Sequence, residues 1–80
     1  MKNVHVVYYA LLRQERGLSE ETVESQALSP KELYQELKEK HHFKLGEAQL
    51  KVAVNSKMAE WDTPLNAGDT VLFIPPVAGG

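Results

Sequence analysis

The residues best placed to do chemistry are the last two, Gly79 and Gly80, which follow the segment FIPPVA. Glycine has no Cβ, so a Gly-Gly end can enter a narrow channel and adopt backbone angles that other residues avoid. Because proline fixes φ and lacks an N–H, Pro75 and Pro76 hold the preceding chain extended and stop a sheet from continuing. From Pro75 to Gly80 the chain reaches at most about 20 Å. We therefore predict a tail that delivers its terminus into the active site of another protein.

The composition is typical of one small globular domain. The 80 residues are 42% hydrophobic and 25% charged, with a net charge of −2. A chain of this length buries only about 60% of its unfolded surface, which leaves little for a deep catalytic pocket. Acidic and basic residues are interleaved without a basic cluster, so nucleic acid is a poor candidate partner.

The sequence also lacks the motifs of several enzyme classes. It has no cysteine, which removes thiolate nucleophiles and Cys-based metal sites, and no Gly-rich loop followed by Lys and Ser or Thr to hold ATP phosphates. We expect no cofactor or metal on this chain, and an activating partner that uses ATP. The start, MKNVHVVYYALL, has neither the cleavage site of a signal peptide nor the length of a membrane span, so we expect a cytoplasmic protein without a membrane partner.

Periodicity predicts strand, helix, strand, helix, strand and a final strand, with a minor strand near KMAEW. A first strand covers about residues 3–9, with Val4, Val6 and Tyr8 on one face, and a short helix then ends at Gly17. EETVESQAL predicts a weak edge strand, and VLFI predicts an internal one. In QLKVAVN the alternation places Leu50, Val52 and Val54 inward and Lys51, Ala53 and Asn55 on a wet outer face.

The second helix has the clearest signals. Ser29 is expected at its N-cap, Pro30 at its first position, and Glu32 as the partner of Ser29 in a capping box. Leu28 is expected to pack back onto the helix as a hydrophobic staple, and Gly46 to end the helical segment. This order predicts an α+β fold, a mixed sheet of four to five strands with one principal helix on one face.

The order of the elements, the length and the endings PLNAGDTV and VLFIPPVAGG resemble the ubiquitin-like β-grasp sulfur carriers. Among these, the chain is similar to the carriers that serve as the small subunit of molybdopterin synthase. Carriers of the thiamine pathway also end in Gly-Gly but usually lack the Pro-Pro. Pro75 and Pro76 therefore favour the molybdopterin synthase carriers over the thiamine-pathway carriers. The resemblance implies a β-grasp domain over residues 1–74 and an extended tail over residues 75–80.

The resemblance also implies a mechanism. A ubiquitin-activating-like adenylyltransferase adenylates the carboxylate of Gly80, which then becomes a thiocarboxylate, and Gly79 permits its approach. The tail enters the large synthase subunit, where the sulfur goes to cyclic pyranopterin monophosphate to build molybdopterin. Two small subunits at the ends of a large-subunit dimer would form a heterotetramer. The isolated chain is expected to have no activity of its own.

Docking in this family uses an apolar patch on the exposed sheet face. The positions that match it, together with the tail residues expected to contact a partner, are Tyr9, Met58, Ile74, Pro75, Pro76, Val77 and Ala78. For Tyr9, Met58 and Ile74, ordinary core packing is the competing interpretation, and exposure would favour a partner surface.

Other functions stay open from the sequence alone. The carrier could serve thiamine thiazole synthesis instead, or a ubiquitin-like modifier could join Gly80 to lysines of target proteins. A plain β-grasp interaction module would not need its tail, and Gly79 and Gly80 would then be a frayed terminus.

Three further features have simple structural interpretations. His41 and His42 are expected at a solvated helix end rather than in a metal site, because adjacent helical residues diverge by about 100°. Trp61 is expected in the core rather than in an interface. A solvated face is expected for Glu15, Glu20 and Glu21.

Overall fold

The chain folds into a five-stranded mixed sheet with two helices, in a computed structural model that describes residues 1–76. The elements are β1 (Lys2–Tyr8), α1 (Ala10–Arg16), β2 (Glu20–Ser25), α2 (Pro30–His41), a 3₁₀ turn (Glu47–Gln49), β3 (Lys51–Val54), β4 (Lys57–Ala59) and β5 (Thr70–Ile74). The sheet order is β2-β1-β5-β3-β4, in which only the β1 and β5 pair is parallel. The predicted α+β class, the edge position of β2, the internal position of β5 and the minor strand near KMAEW are confirmed.

The core lies between one face of the sheet and the helices. Alternation along β1 buries Val4, Val6 and Tyr8, as predicted, and α2 buries Leu33 and Leu37 against them. The same cluster includes Tyr34 of α2 and Leu12 of α1. Since both helices contribute to this cluster, they cover the same face of the sheet. The side chains of the other sheet face, which we call the open face, point away from them.

The start of α2 agrees with the predicted residues but not with all of their bonds. Ser29 Oγ accepts the Glu32 N–H at 3.3 Å, and Pro30 opens the helix. The carboxylate of Glu32 accepts the N–H of Leu28 at 3.2 Å, so the reciprocal bond of the capping box is displaced by one residue. Leu28 is 67% exposed, so the predicted hydrophobic staple is wrong.

Helix α2 ends at His41, not at Gly46 as predicted. His42 has a left-handed backbone, φ 58°, and its N–H bonds to the carbonyl of Lys38. The turn brings Phe43 into the core, where its ring packs edge-on against Tyr8 at 5.8 Å between centroids. The Lys38 ammonium closes the motif by donating to the Phe43 carbonyl at 2.9 Å. Burial of one aromatic ring therefore decides where the helix stops.

The β3–β4 hairpin has a strained two-residue turn. Asn55 and Ser56 both have positive φ, 52° and 71°, as a type I′ turn requires. The side chain of Asn55 compensates, because its Oδ1 accepts the Thr70 N–H and its Nδ2 donates to Asp69, both at 2.9 Å. Within residues 1–76 the side chain of Ser56 makes no comparable hydrogen bond, so its left-handed backbone is not compensated in this way.

Replacement Ser56→Gly is therefore expected to stabilise the fold by about 0.5–1 kcal/mol, because glycine adopts positive φ without a Cβ clash. Urea denaturation measures the change. Asn55→Gly is the matched control at the neighbouring position, since it removes the same clash together with two hydrogen bonds and should be neutral or destabilising. A loss of stability in Ser56→Gly would show that the turn is not under strain.

A charged pair closes one end of the core. Glu21 was expected on a solvated face, but its side chain is only 16% exposed. Arg16 donates to both of its carboxylate oxygens at 2.8 Å, and the Tyr8 hydroxyl donates to Oε2 at 2.6 Å. The hydrogen bonds from Arg16 are the main reason that the pKa of Glu21 falls to about 2 from its ordinary 4.5. Burial is the main cause that raises the pKa of Tyr8.

This pair predicts a pH-dependent stability. Because the pKa of Glu21 is lower in the folded state, its contribution is present above pH 4.5 and is lost as the pH falls toward about 2. With solvent screening allowed for, we expect Glu21→Gln to lower the free energy of unfolding by about 1–2 kcal/mol at pH 7. The difference from wild type should shrink below pH 4.5. Urea denaturation at several pH values measures it.

Glu20→Gln is the control on the same strand, because Glu20 is exposed and its carboxylate lies 3.0 Å from the ring nitrogen Nε2 of His5 rather than in a buried pair. It should leave the stability nearly unchanged at neutral pH. A Glu21→Gln difference that stayed constant down to pH 2 would contradict the role of the carboxylate charge.

Within the described part of the chain, residues 1–76, neither helix is long and apolar enough to cross a membrane.

Candidate functional site

An apolar row runs across the open face of the sheet. The strand registers place Val7 beside Leu72, Leu72 beside Ala53, and Ala53 beside Met58. Residues paired in register point to the same side of a sheet, so these four side chains form a continuous line over β1, β5, β3 and β4. We call this line, Val7–Leu72–Ala53–Met58, the apolar row.

Exposure varies along the apolar row. Met58 is 65% exposed at the β4 edge, while Val7 and Leu72 are partly buried. Ala53 lies on the predicted outer face but is buried, which corrects the expectation of a wet position. Its short side chain lies between the longer ones of Leu72 and Met58. The row therefore presents a nearly flat apolar surface rather than isolated side chains.

Ile74 and Tyr9 lie toward the tail end of the same face. Ile74 is paired with Lys51 and is partly buried. Tyr9 is 41% exposed and has an extended backbone, so it continues the alternation of β1 on the side of Val7. Tyr9 also caps α1 through its carbonyl, which accepts the Leu12 N–H at 3.1 Å. Of the three residues that the resemblance indicated, Met58 is thus separated from the other two and connected to them by the apolar row.

Val7 and Leu72 were not singled out from the sequence as docking residues, although the signal was present. Val7 is an apolar residue at an outward position of β1, whose alternation was clear, and its register partner Leu72 lies beside it within the continuous apolar run of β5. In a sheet with one solvated face, apolar side chains at such positions are the anomaly that points to a binding surface.

The apolar row has polar neighbours on the β2 side. His5 Nε2 lies 3.0 Å from Glu20 Oε1, and its Nδ1 lies 3.3 Å from Thr22 Oγ1. These residues come from β1 and β2, so the open face changes from apolar to polar and acidic at its β2 edge. A partner surface that matches this face is apolar at its centre and polar or basic toward β2.

The tail begins where the sheet ends. β5 stops at Ile74, directly before Pro75, as expected from the missing N–H of proline. Pro75 is buried and Pro76 is exposed. The other predicted tail residues, Val77, Ala78, Gly79 and Gly80, lie outside the described residues.

The remaining candidates have structural roles. His41 is partly buried beside Phe43, with ring centroids 5.7 Å apart, and burial lowers its pKa. His42 is the exposed C-cap of α2. Among residues 1–76, no three or more His, Asp or Glu side chains are arranged to hold a metal ion. Trp61 stacks on Phe73 at 6.0 Å between centroids and packs against the core, which confirms its predicted structural role.

The sheet order, the helix packed on one face and the Gly-Gly sequence after β5 define this chain as a ubiquitin-like β-grasp protein. The sequence model of the ThiS family matches residues 6–80. The chain belongs to the ThiS family, and so to the ubiquitin-like sulfur carriers. The comparison with curated proteins gave no match.

Solved structures agree with this assignment. A putative molybdopterin converting factor, subunit 1, from Pyrococcus furiosus is 33% identical, with a TM-score of 0.80 over 96% of this chain and 100% of that one. Subunit 1 in a complex of subunits 1 and 2 of molybdopterin-converting factor from Helicobacter pylori is 28% identical, with a TM-score of 0.68 over 98% and 99%. SAMP1 from Haloferax volcanii, 22% identical with a TM-score of 0.80 over 98% and 99%, shows the fold alone.

Proposed function

We propose that this chain carries sulfur on Gly80 as the small subunit of a molybdopterin synthase. The observation that carries the proposal is the sequence PPVAGG, which follows directly after β5, the central strand that contributes Leu72 to the apolar row. The names of the relatives that are 33% and 28% identical over nearly their whole length support this choice among sulfur carriers.

The chemistry begins at the carboxylate of Gly80, which is a poor electrophile because its charge is delocalised. In the activating enzyme, a carboxylate oxygen attacks the α-phosphorus of ATP and pyrophosphate leaves. A sulfide-level nucleophile supplied by the partner then attacks the carbonyl carbon, and AMP leaves. The product is a thiocarboxylate, with one oxygen replaced by sulfur. This chain contributes the terminus, and its partner contributes the nucleotide site.

In the second step the thiocarboxylate enters the large subunit, where its sulfur attacks a carbon of cyclic pyranopterin monophosphate and displaces an oxygen substituent. Water then hydrolyses the resulting thioester, which leaves the sulfur on the pterin and returns Gly80 as a carboxylate, and a second carrier supplies the second sulfur. The apolar row docks on the large subunit and sets the position of the tail. Burial of exposed apolar surface favours such a contact, and Met58 is the most exposed member of the row. The assembly is a heterotetramer, with one small subunit at each end of a large-subunit dimer.

The test is to incubate the chain with its cognate activating enzyme, ATP and sulfide, and to measure its intact mass. A mass increase equal to the exchange of one oxygen for sulfur is expected. The product is then offered in parallel to the large synthase subunit with cyclic pyranopterin monophosphate and to a thiazole synthase with its substrates. Molybdopterin formation supports the proposal. Consumption by the thiazole synthase alone, or stable conjugates on lysines, would identify one of the other functions.

A further inference from the structure

A second apolar surface lies between α1 and the residues Pro75 and Pro76, which we call the tail base. It is a groove lined by Ala10, Leu11, Gln14, Leu45, Pro75 and Pro76. Five of these six residues are apolar and none is charged. An open groove of this composition favours an aliphatic or aromatic side chain over a charged one.

The backbone at the start of α1 creates the groove. Ala10 has a positive φ of 50°, which turns the chain from extended Tyr9 directly into the helix. Leu12 points into the core, whereas Leu11 is 40% exposed and reaches the groove beside the prolines. Gln14 lies three residues after Leu11, on the same side of the helix. One face of α1 thus lies against the tail base, while another face packs against the core.

The length of the tail keeps any active site that acts on Gly80 close to this groove. Four residues follow Pro76. Fully extended, they reach at most about 14 Å. Any active site that acts on Gly80 must therefore come within this distance of Pro76, which brings the edge of that site close to the surface around Pro76.

The apolar row is under no such constraint at its far end. Met58 lies two strands from β5, level with Leu72, which is four residues before Pro76. Strand spacing and rise place it about 16 Å from the tail base. A partner can therefore reach Gly80 without covering Met58, whereas the groove includes Pro76 itself and lies well within the reach of the tail.

We propose that this groove binds an apolar side chain from the surface at the entrance of any active site that acts on Gly80. The activating enzyme and the large synthase subunit then use the same contact, whatever else each binds. The inference rests on the proposed function, since it requires two proteins that both process the terminus.

Leu11→Gln tests the groove, with the complete chain and each cognate partner. Glutamine is similar in size to leucine and is a good helix former, so the fold should be retained. The KM for the carrier in ATP–pyrophosphate exchange should rise about tenfold with little change in kcat, and binding to the large subunit should weaken about tenfold. Leu11→Met should restore both values. Leu28→Gln is the matched control, because Leu28 is also an exposed leucine. It follows β2 near the start of β1, whereas Leu11 lies just after the end of β1.

The outcomes separate the two proposals. If the wild-type chain supports no exchange, the proposed function is wrong and the groove contact falls with it. If the wild type is active and Leu11→Gln equals it with both partners, the groove inference alone is overturned. An effect with only one partner would overturn the shared contact, and an equal effect of Leu28→Gln would show general destabilisation instead. Circular dichroism and urea midpoints for all variants check that the fold is intact.

Discussion

Deletion of Gly80 is expected to reduce thiocarboxylate formation at least about a hundredfold, because misplacement of a reacting group by about 1 Å already has effects of this size. Removal of one residue withdraws the carboxylate by about 3.5 Å along an extended chain. The new terminus is not expected to reach the α-phosphorus of ATP unless the whole domain moves closer to the active site. ATP–pyrophosphate exchange and intact mass measure the loss.

The deletion should leave the folded domain and its docking surface unchanged. Every described element ends by Ile74, and the apolar row lies within these elements. The shortened chain should therefore unfold at the wild-type urea concentration and inhibit the wild-type chain by competing for the large subunit. Gly79→Ala is a milder companion, since it adds one Cβ without changing the length. Normal sulfur transfer by the Gly80 deletion would show that Gly80 does not carry the sulfur and would overturn the proposed tail mechanism.

Local patterns in the sequence were sufficient for most of the fold. In β1 the alternation of Val4, Val6 and Tyr8 predicts both the strand and its buried face. The start of α2 follows from Ser29 and Pro30, whose effects act within one helical turn. These elements are predictable because their causes lie within a few residues of their effects.

The errors involve residues whose environment depends on a distant part of the chain. Ala53 is buried because Leu72 and Met58 lie on either side of it, which only the strand registers reveal. Glutamate is a residue type that usually lies on the surface, but the turn after α1 brings Glu21 within hydrogen-bond distance of Arg16. The end of α2 follows from the burial of Phe43 rather than from the nearest glycine. Tertiary packing overrode local preference in each case.

The candidate site divides in the same way. The role of Gly80 follows from its residue type and position, and it stays a prediction because the described residues end at Pro76. Alternation in β1 was sufficient to place Val7 on the open face, whereas Leu72 lies in a continuous apolar run and needed the strand register. The groove was not predictable from the sequence, because it combines an unusual φ at Ala10 with Leu45 from a separate loop. A surface made by two segments that are distant in sequence leaves no local sequence pattern from which it could be predicted.

Substitution Met58→Lys is expected to weaken binding of the large subunit about 30-fold, or by about 2 kcal/mol, because an ammonium group would lose its hydration in an apolar contact. The stability of the free chain should not change, since Met58 is 65% exposed on an edge strand. Isothermal titration calorimetry with the large subunit measures the affinity.

Met58→Leu is the control, because it changes the shape of the side chain while keeping the surface apolar, and its affinity should stay close to the wild-type value. The two variants together separate burial from mere proximity. If Met58 lay at the solvated rim of the interface, the Met58→Lys and Met58→Leu variants would bind the large subunit with equal affinity, because a charge at the rim has little effect on affinity. Equal affinities would therefore confine docking to the residues around the tail base, and a large loss only for lysine would extend the interface along the whole apolar row to the β4 edge.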